Sequence, residues 1–182
     1  MDPLPSSSGS AALPPLPPHV AAPCNILVRE AGPEDAELIA ELTRISWADK
    51  VAPSSSGHRE DIARVLHDLR TGGGFLLLVN DQAVGSVRWL RHDYEPSVRD
   101  IVRMGVLPAY RGAGLSQHLL EAVIHHALAE EVNELRLAVR TDQSRLVDLY
   151  AAFGFELAPG LEYSHANPQE PAPLMMRKLL GR

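Results

Sequence analysis

Between Val98 and Val132 the pattern of the chain changes from strand-like to helical across a glycine-bearing turn, and that junction restricts the folds open to it. Val98, Ile101, Val102, Met104 and Val106 give the first part the apolar, β-branched weight of a strand. Pro108 marks a short link to Arg111-Gly112-Ala113-Gly114. Beyond it Leu115, Leu119/Leu120, Val123/Ile124, Ala127/Leu128 and Val132 recur at the spacing of one helix face. A strand, a glycine turn and a helix start in that order make an anion site. Glycines let backbone N–H groups approach closely, and a helix N-terminus adds unpaired donors and partial positive charge. A phosphate or pyrophosphate is the ligand such a site suits.

The remaining elements show where this junction sits. Ile26 to Arg29 reads as a first strand, and Pro33-Glu34-Asp35 opens a helix carrying Ala36, Leu38/Ile39, Leu42 and Ile45/Ser46 on one stripe. After a Ser-rich loop from Val51 to Gly57, His58 to Leu69 forms a second helix, ended by Gly72-Gly73-Gly74. Phe75–Val79 and Ala83–Leu90 flank Asn80-Asp81-Gln82 as a hairpin. Past the long helix come a strand (Leu135–Val139), a helix (Ser144–Phe153), a strand from Phe155 and a last strand over Leu174–Leu179. The order β-α-α-β-β-β-α-β-α-β-β, without internal repeat, is that of an α/β fold with a mixed sheet covered by helices. The 182 residues make one domain, 24–182, behind a separate tail. Residues 1–23 hold seven of the fifteen prolines and a run of serines, the composition of a disordered or polyproline-like segment.

Composition removes several functions. A formal charge of −6 argues against generic nucleic-acid binding and mildly favours cationic substrates. Cys24 is the only cysteine, so neither an intramolecular disulfide nor a thiolate-rich metal site is expected. No apolar run approaches a membrane span and the N-terminus lacks the pattern of a secretion signal, so a cytoplasmic protein is expected. His118, His125 and His126 share the long helix without a His-Glu-x-x-His pattern or a completing acid; they are expected to be exposed, and no metal is expected.

Two phosphate motifs fail on the residues themselves. A P-loop needs Gly-Lys-Ser/Thr, and the turn has no lysine. A dinucleotide fingerprint needs a third glycine where Gln117 stands, and a tighter exit from the strand than the five residues between Val106 and Gly112. The segment instead resembles the GNAT superfamily of acetyl-coenzyme A (acetyl-CoA)-dependent N-acetyltransferases, whose signature is Gln/Arg-x-x-Gly-x-Gly/Ala after a strand and a Pro-containing link. Arg111, Gly114 and Ser116 occupy the three defining places, Ser116 departing from the usual Gly or Ala. A second match, Leu149-Tyr150-Ala151-Ala152-Phe153-Gly154-Phe155, looks like the family's Leu-Tyr-x-x-x-Gly-Phe, with Gln143 where the family usually has Asn.

The resemblance implies a mostly antiparallel mixed sheet whose fourth and fifth strands splay to hold acetyl-CoA, the acyl donor. It implies cofactor contacts from the backbone of Met104, Gly105 and Val106, from Arg111, Gly112, Ala113, Gly114, Leu115 and Ser116 around the pyrophosphate, and from Gln143. It implies Tyr150 as the acid that meets the departing thiolate, and Asp100, six residues ahead of Val106, as a base acting through water. His92, Asp93 and Glu95 lie in a loop that could also reach the site. Acetyl would pass directly to a primary amine in a ternary complex, with no acyl-enzyme. A small-molecule acceptor is the first expectation, with Trp47 and Tyr163 as pocket walls and Glu162 and Glu170 attracting an ammonium group. A protein N-terminus or lysine is the rival acceptor, and a catalytically idle acyl-CoA-binding domain the rival of another class. Family members often dimerise, so a homodimer is among the assemblies the resemblance allows.

Overall fold

The computed structural model describes residues 24–50, 53, 54, 56–163 and 168–181. The Pro- and Ser-rich segment 1–23, and the tail boundary expected there, lie outside the described residues. Seven strands form one sheet: β1 (Ile26–Glu30), β2 (Gly73–Val79), β3 (Gln82–Arg91), β4 (Val98–Val106), β5 (Glu134–Val139), β6 (Glu156–Leu157) and β7 (Leu174–Leu179). Among the described residues four α-helices cover it: α1 (Ala36–Trp47), α2 (Ile62–Thr71), α3 (Leu115–Ala129) and α4 (Arg145–Ala152). The strand order is β1-β2-β3-β4-β5-β7-β6, and every neighbouring pair is antiparallel except β4 with β5. The element order is the one read from the pattern. No helix among the described residues is long and apolar enough to cross a membrane.

Local chemistry sets the boundaries. Pro33–Asp35 forms a 3-10 turn ahead of α1, and the Asp35 carboxylate accepts from the Gly32 amide and both Nη groups of Arg29. α1 buries Ala36, Ile39, Ala40, Leu42, Thr43 and Ser46, which leaves Leu38 and Ile45 at the edge of the stripe. α2 begins at Ile62 rather than His58 because Asp61 is the cap, its Oδ1 accepting from the Arg64 amide at 2.7 Å. Gly73 and Gly74 belong to β2 instead of ending the helix. A Cβ at Gly73 would sit 2.2 Å from the Trp89 ring, so the absent side chain is what lets β2 lie against β3 there. Asn80 and Asp81 both have positive φ, as a tight two-residue hairpin requires.

The two faces of the sheet carry separate cores. Leu77, Val87, Trp89 and Ile101 pack with Leu119, Leu120, Val123 and Ala127 of α3, whereas Leu76 packs with Ile39, Ala40, Val65 and Leu69 of α1 and α2. His126 departs from the exposure expected of it. Its ring is half-buried with centroids 4.6 Å from Trp89 and 5.7 Å from Phe75, while His118 and His125 are exposed.

One irregularity in β4 positions the site. Arg88 faces Val102 and Ser86 faces Gly105, so two β4 residues, Arg103 and Met104, oppose Val87 alone. Arg103 takes a φ of +56°, the signature of a bulge. β4 pairs with β5 only at Val98–Asp100 with Glu134–Arg136. Past that point the two strands diverge.

Candidate active site

The gap between β4 and β5 opens into a cavity of about 920 Å³. Met104, Gly105 and Val106 line it from β4, Leu137 to Val139 from β5, and Gln143 and Tyr150 from the α4 side. Arg111, Gly112, Gly114, Leu115 and Ser116 line it from the turn. Ten of the twelve residues singled out from the sequence therefore meet at one cavity, and Ala113 and Asp100 are the two that do not line it. Ala113 packs its methyl group against the α3-side core.

The turn has the properties of an anion cradle. Gly112 and Gly114 adopt φ of +83° and +68°, conformations that an L side chain resists. The Arg111 amide donates to Pro108 O at 3.3 Å and the Gln117 amide to Gly114 O at 3.1 Å. Between them the amides of Gly112, Ala113, Gly114, Leu115 and Ser116 have no acceptor among the described residues. A Cβ built at Gly112 would meet nothing within 4 Å, so the space beside these donors is open. The Arg111 side chain points elsewhere. Its Nη1 donates to both Asp49 oxygens at 2.9 and 3.0 Å, its Nε to Val106 O at 3.3 Å, and its Nη2 to Ser46 O. It thereby ties the turn to the end of α1, and its guanidinium holds the Asp49 carboxyl below the usual carboxylate range.

Gly105 sits where a side chain has no room. A Cβ there would lie 3.0 Å from Ser46 Cβ and 3.2 Å from Trp47 Nε1. Its missing side chain admits the end of α1 against β4. Gln143 reaches back across the cavity mouth, its Nε2 donating to Lys50 O at 2.8 Å.

Tyr150 is buried, its ring edge-on to Phe155 at a centroid distance of 5.9 Å. Burial pushes its phenol up to about 12. An ordinary phenol and a thiol are nearly matched as acids; this phenol is the weaker one by several units. The Asp100 Oδ2 lies 2.9 Å from His92 Nε2, with His92 Nδ1 3.7 Å from Glu95. Glu95 is held in turn by Arg136 at 2.8 Å.

The other wall contains charges that the sequence patterns did not reveal. Glu60 and Asp68 line the cavity and flank the completely buried Arg88, at 3.0 and 3.1 Å. Arg103 Nε lies 2.8 Å from Glu60, and its guanidinium sits 5.2 Å from the Trp47 ring centroid. The available signal was Arg88 itself, a cation set directly between Val87 and Trp89 in the middle of a strand. Trp47 and Tyr163 both line this wall, as expected. Glu170 does not stand ready for an ammonium group, because Arg140 Nη1 donates to it at 2.6 Å and Ser54 at 2.9 Å. Glu162 is exposed.

Residues 39–155 match the model of the Acetyltransferase (GNAT) family. The chain belongs to the GNAT acetyltransferase family. A GNAT acetyltransferase from Streptococcus pneumoniae superposes with a TM-score of 0.65 at 24% identity, over 86% of this chain and all of that one. An N-acetyltransferase from Thermoplasma acidophilum, solved in complex with coenzyme A, superposes with a TM-score of 0.69 at 16% identity, over 86% and 99%. Among curated relatives, a mycothiol acetyltransferase of Kytococcus sedentarius is 32% identical over 146 residues, 78% of this chain and 49% of that protein. One from Streptomyces griseus is 27% identical over 69% of this chain and 41% of its own length. The chain thus spans about half the length of the curated relatives it matches. The diverging strands β4 and β5 and the mixed, mostly antiparallel sheet are the GNAT fold.

Proposed function

We propose that this GNAT chain transfers the acetyl group of acetyl-CoA to the primary amine of a small molecule, by direct attack in a ternary complex. The row of five amides from Gly112 to Ser116, without acceptors among the described residues and four of them on residues that line the same cavity as Tyr150, is the observation that carries this reading. A diphosphate accepts from such a row without a cation, because the donors and the start of α3 supply the positive potential. The splayed edge of β4 at Met104–Val106 leaves backbone groups to which an extended thioester arm can pair.

In the reaction the amine nitrogen attacks the thioester carbonyl, the C–S bond breaks, and the electron pair leaves on sulfur. The amine's proton passes to water backed by Asp100 and His92. Tyr150 donates to the sulfur. The lone Cys24 lies outside the cavity lining, consistent with transfer that has no acyl-enzyme step. Trp47 and Tyr163, which line the cavity, are aromatic surfaces suited to a small acceptor.

The test is a thiol-release screen with acetyl-CoA and mixed amine pools, beside calorimetric titration of acetyl-CoA. Micromolar acetyl-CoA binding with amine-dependent thiol release supports the reading. Tight binding with no release across the whole amine panel would overturn it in favour of an idle acyl-CoA-binding domain.

A further inference from the structure

Beside the main cavity lies a recess of about 310 Å³. Lys50, Gln143 and Arg145 line both spaces, and Asp49, Asp142 and Ser144 complete the recess. Gln143 holds the shared residues together. Its Nε2 donates to Lys50 O at 2.8 Å, and its Oε1 accepts from Arg145 Nη2 at 3.4 Å. The chain just past α1 and the start of α4 are thereby joined through one side-chain amide, with a cationic residue bonded at each end of it.

The carboxylates of the recess are committed to other cations. Both oxygens of Asp49 accept from Arg111 Nη1, and Asp49 senses the Lys50 charge more weakly than it senses Arg111. Asp142 pairs with Arg140, which also holds Glu170. Asp148, one turn along α4 from Arg145, lines neither space. Among the described residues neither the Lys50 ammonium nor the Arg145 guanidinium has an ion-pair partner. The recess also adjoins the glycine turn. Lys50 follows Asp49, and the partner of Asp49 is Arg111, the first residue of that turn, so one Cα step of about 3.8 Å separates Lys50 from the residue tied to the turn. Coenzyme A carries a 3′-phosphomonoester on the same ribose as its 5′-diphosphate. Such a group has its second pKa near 6 and is mostly a dianion at neutral pH. A guanidinium and an ammonium together supply the charge and the donors it needs.

We propose that Lys50 and Arg145 bind a phosphomonoester, the 3′-phosphate of the donor, so that the recess selects coenzyme A over its dephospho form. This rests on the acetyltransferase reading above. The test is calorimetric titration of CoA and of 3′-dephospho-CoA at one fixed salt concentration, into wild type, Arg145→Lys and the double variant Lys50→Gln with Arg145→Gln. Wild type is expected to bind CoA at least about tenfold more tightly than the dephospho form. In the double variant the ratio is expected to fall close to one, because CoA affinity drops while dephospho-CoA affinity holds, and Arg145→Lys is expected to keep part of it. The double variant is expected to keep the wild-type Tm, since Arg145 is exposed and Lys50 is tied through its carbonyl. Equal wild-type affinities, or a preference that survives in the double variant, would overturn the inference. A second arm titrates O-phosphoethanolamine and ethanolamine into CoA-saturated protein. A preference there for the phosphorylated amine that the double variant abolishes, beside equal CoA and dephospho-CoA affinities, would assign the phosphate to the acceptor instead and overturn the inference. Failure of both CoA forms to bind would sink the acetyltransferase reading and this inference with it.

Discussion

Replacing Tyr150 by Phe isolates one oxygen atom at the end of the slot. The ring and its edge contact with Phe155 remain, so the fold is expected to keep its stability. The phenol, pushed up to about 12 by burial, lies roughly 3.5 units above an ordinary thiol, and complete proton transfer to a thiolate would be uphill by about 5 kcal/mol. The walls that desolvate the phenol also desolvate the sulfur and raise its proton affinity, which narrows that gap. Tyr150 therefore acts chiefly by hydrogen bonding to charge as it develops on sulfur. A hydrogen bond to a charged group contributes about 1.5–3 kcal/mol, or roughly 10- to 150-fold in kcat. Ground-state thioester sulfur is neutral, so calorimetric acetyl-CoA affinity is expected to be unchanged while kcat falls. The direction of the pKa shift adds a second readout. A raised value keeps the active, protonated form present throughout the neutral and moderately alkaline range, so this group causes no fall in kcat between about pH 7 and 10. Wild-type turnover in Tyr150→Phe would refute the assignment, as would an alkaline fall near pH 9 that the substitution abolishes.

Three further perturbations probe the turn and the framework. Gly114→Ala places a Cβ at a φ of +68° where the nearest atoms, of Gln117, are 3.8 Å away, so the penalty is backbone strain of about 1–2 kcal/mol; Tm is expected to fall by a few degrees and acetyl-CoA Kd to rise about tenfold as the amides turn away, both measurable by scanning and titration calorimetry. Arg88→Met removes the buried cation that Glu60 and Asp68 share and leaves each with one partly exposed arginine, a loss of about 3 kcal/mol in urea unfolding, and adding Glu60→Gln with Asp68→Asn is expected to recover part of it. Asp35→Asn removes a carboxyl held below its usual range by the Arg29 hydrogen bonds and the Gly32 amide. Such a group stabilises the fold fully above its unfolded pKa near 4 and loses that contribution as pH falls toward the folded value, so wild type is expected to lose stability below about pH 4 more steeply than the variant in acid titration followed by circular dichroism.

The path from sequence to site was clear where function is written in contiguous backbone and obscure where it is written in side chains from separate elements. The turn was legible because Gly112 and Gly114 are required locally, by the sign of φ, and because the residues on either side belong to a strand and a helix with different periods. Gln143 and Tyr150 were legible through a second contiguous motif. The bulge at Arg103 was not, since Arg has no preference for a positive φ and only the register with β3 reveals the extra residue. Asp100 was placed by counting along β4, yet which way its carboxylate points depends on His92, eight residues earlier on the neighbouring strand's exit. Nothing local to Gly105 shows that the end of α1 is the body packed against it. His126 read as one of three similar helical histidines and is separated from the others only by Trp89 and Phe75, both remote in sequence.

Net charge is a poor guide to the cavity for the same reason. The chain carries −6, yet seven Lys and Arg residues and three Asp and Glu residues line the cavity, and two of those cations, Arg111 and Arg140, are paired with Asp49, Asp142 and Glu170 outside the lining. Those cations come from the α1–α2 connection, α2, the β4 bulge, the glycine turn, the exit of β5 and the start of α4. No window of sequence contains them together, so composition averages them against acids elsewhere on the surface. The ligand does not feel that average. At physiological salt the screening length is about 8 Å, so acids on distant faces are largely invisible from inside the slot, while charges on its low-dielectric walls are focused into it. A polyanionic donor is therefore compatible with an acidic protein, and the sign of a site must be counted over its own walls and the groups paired with them.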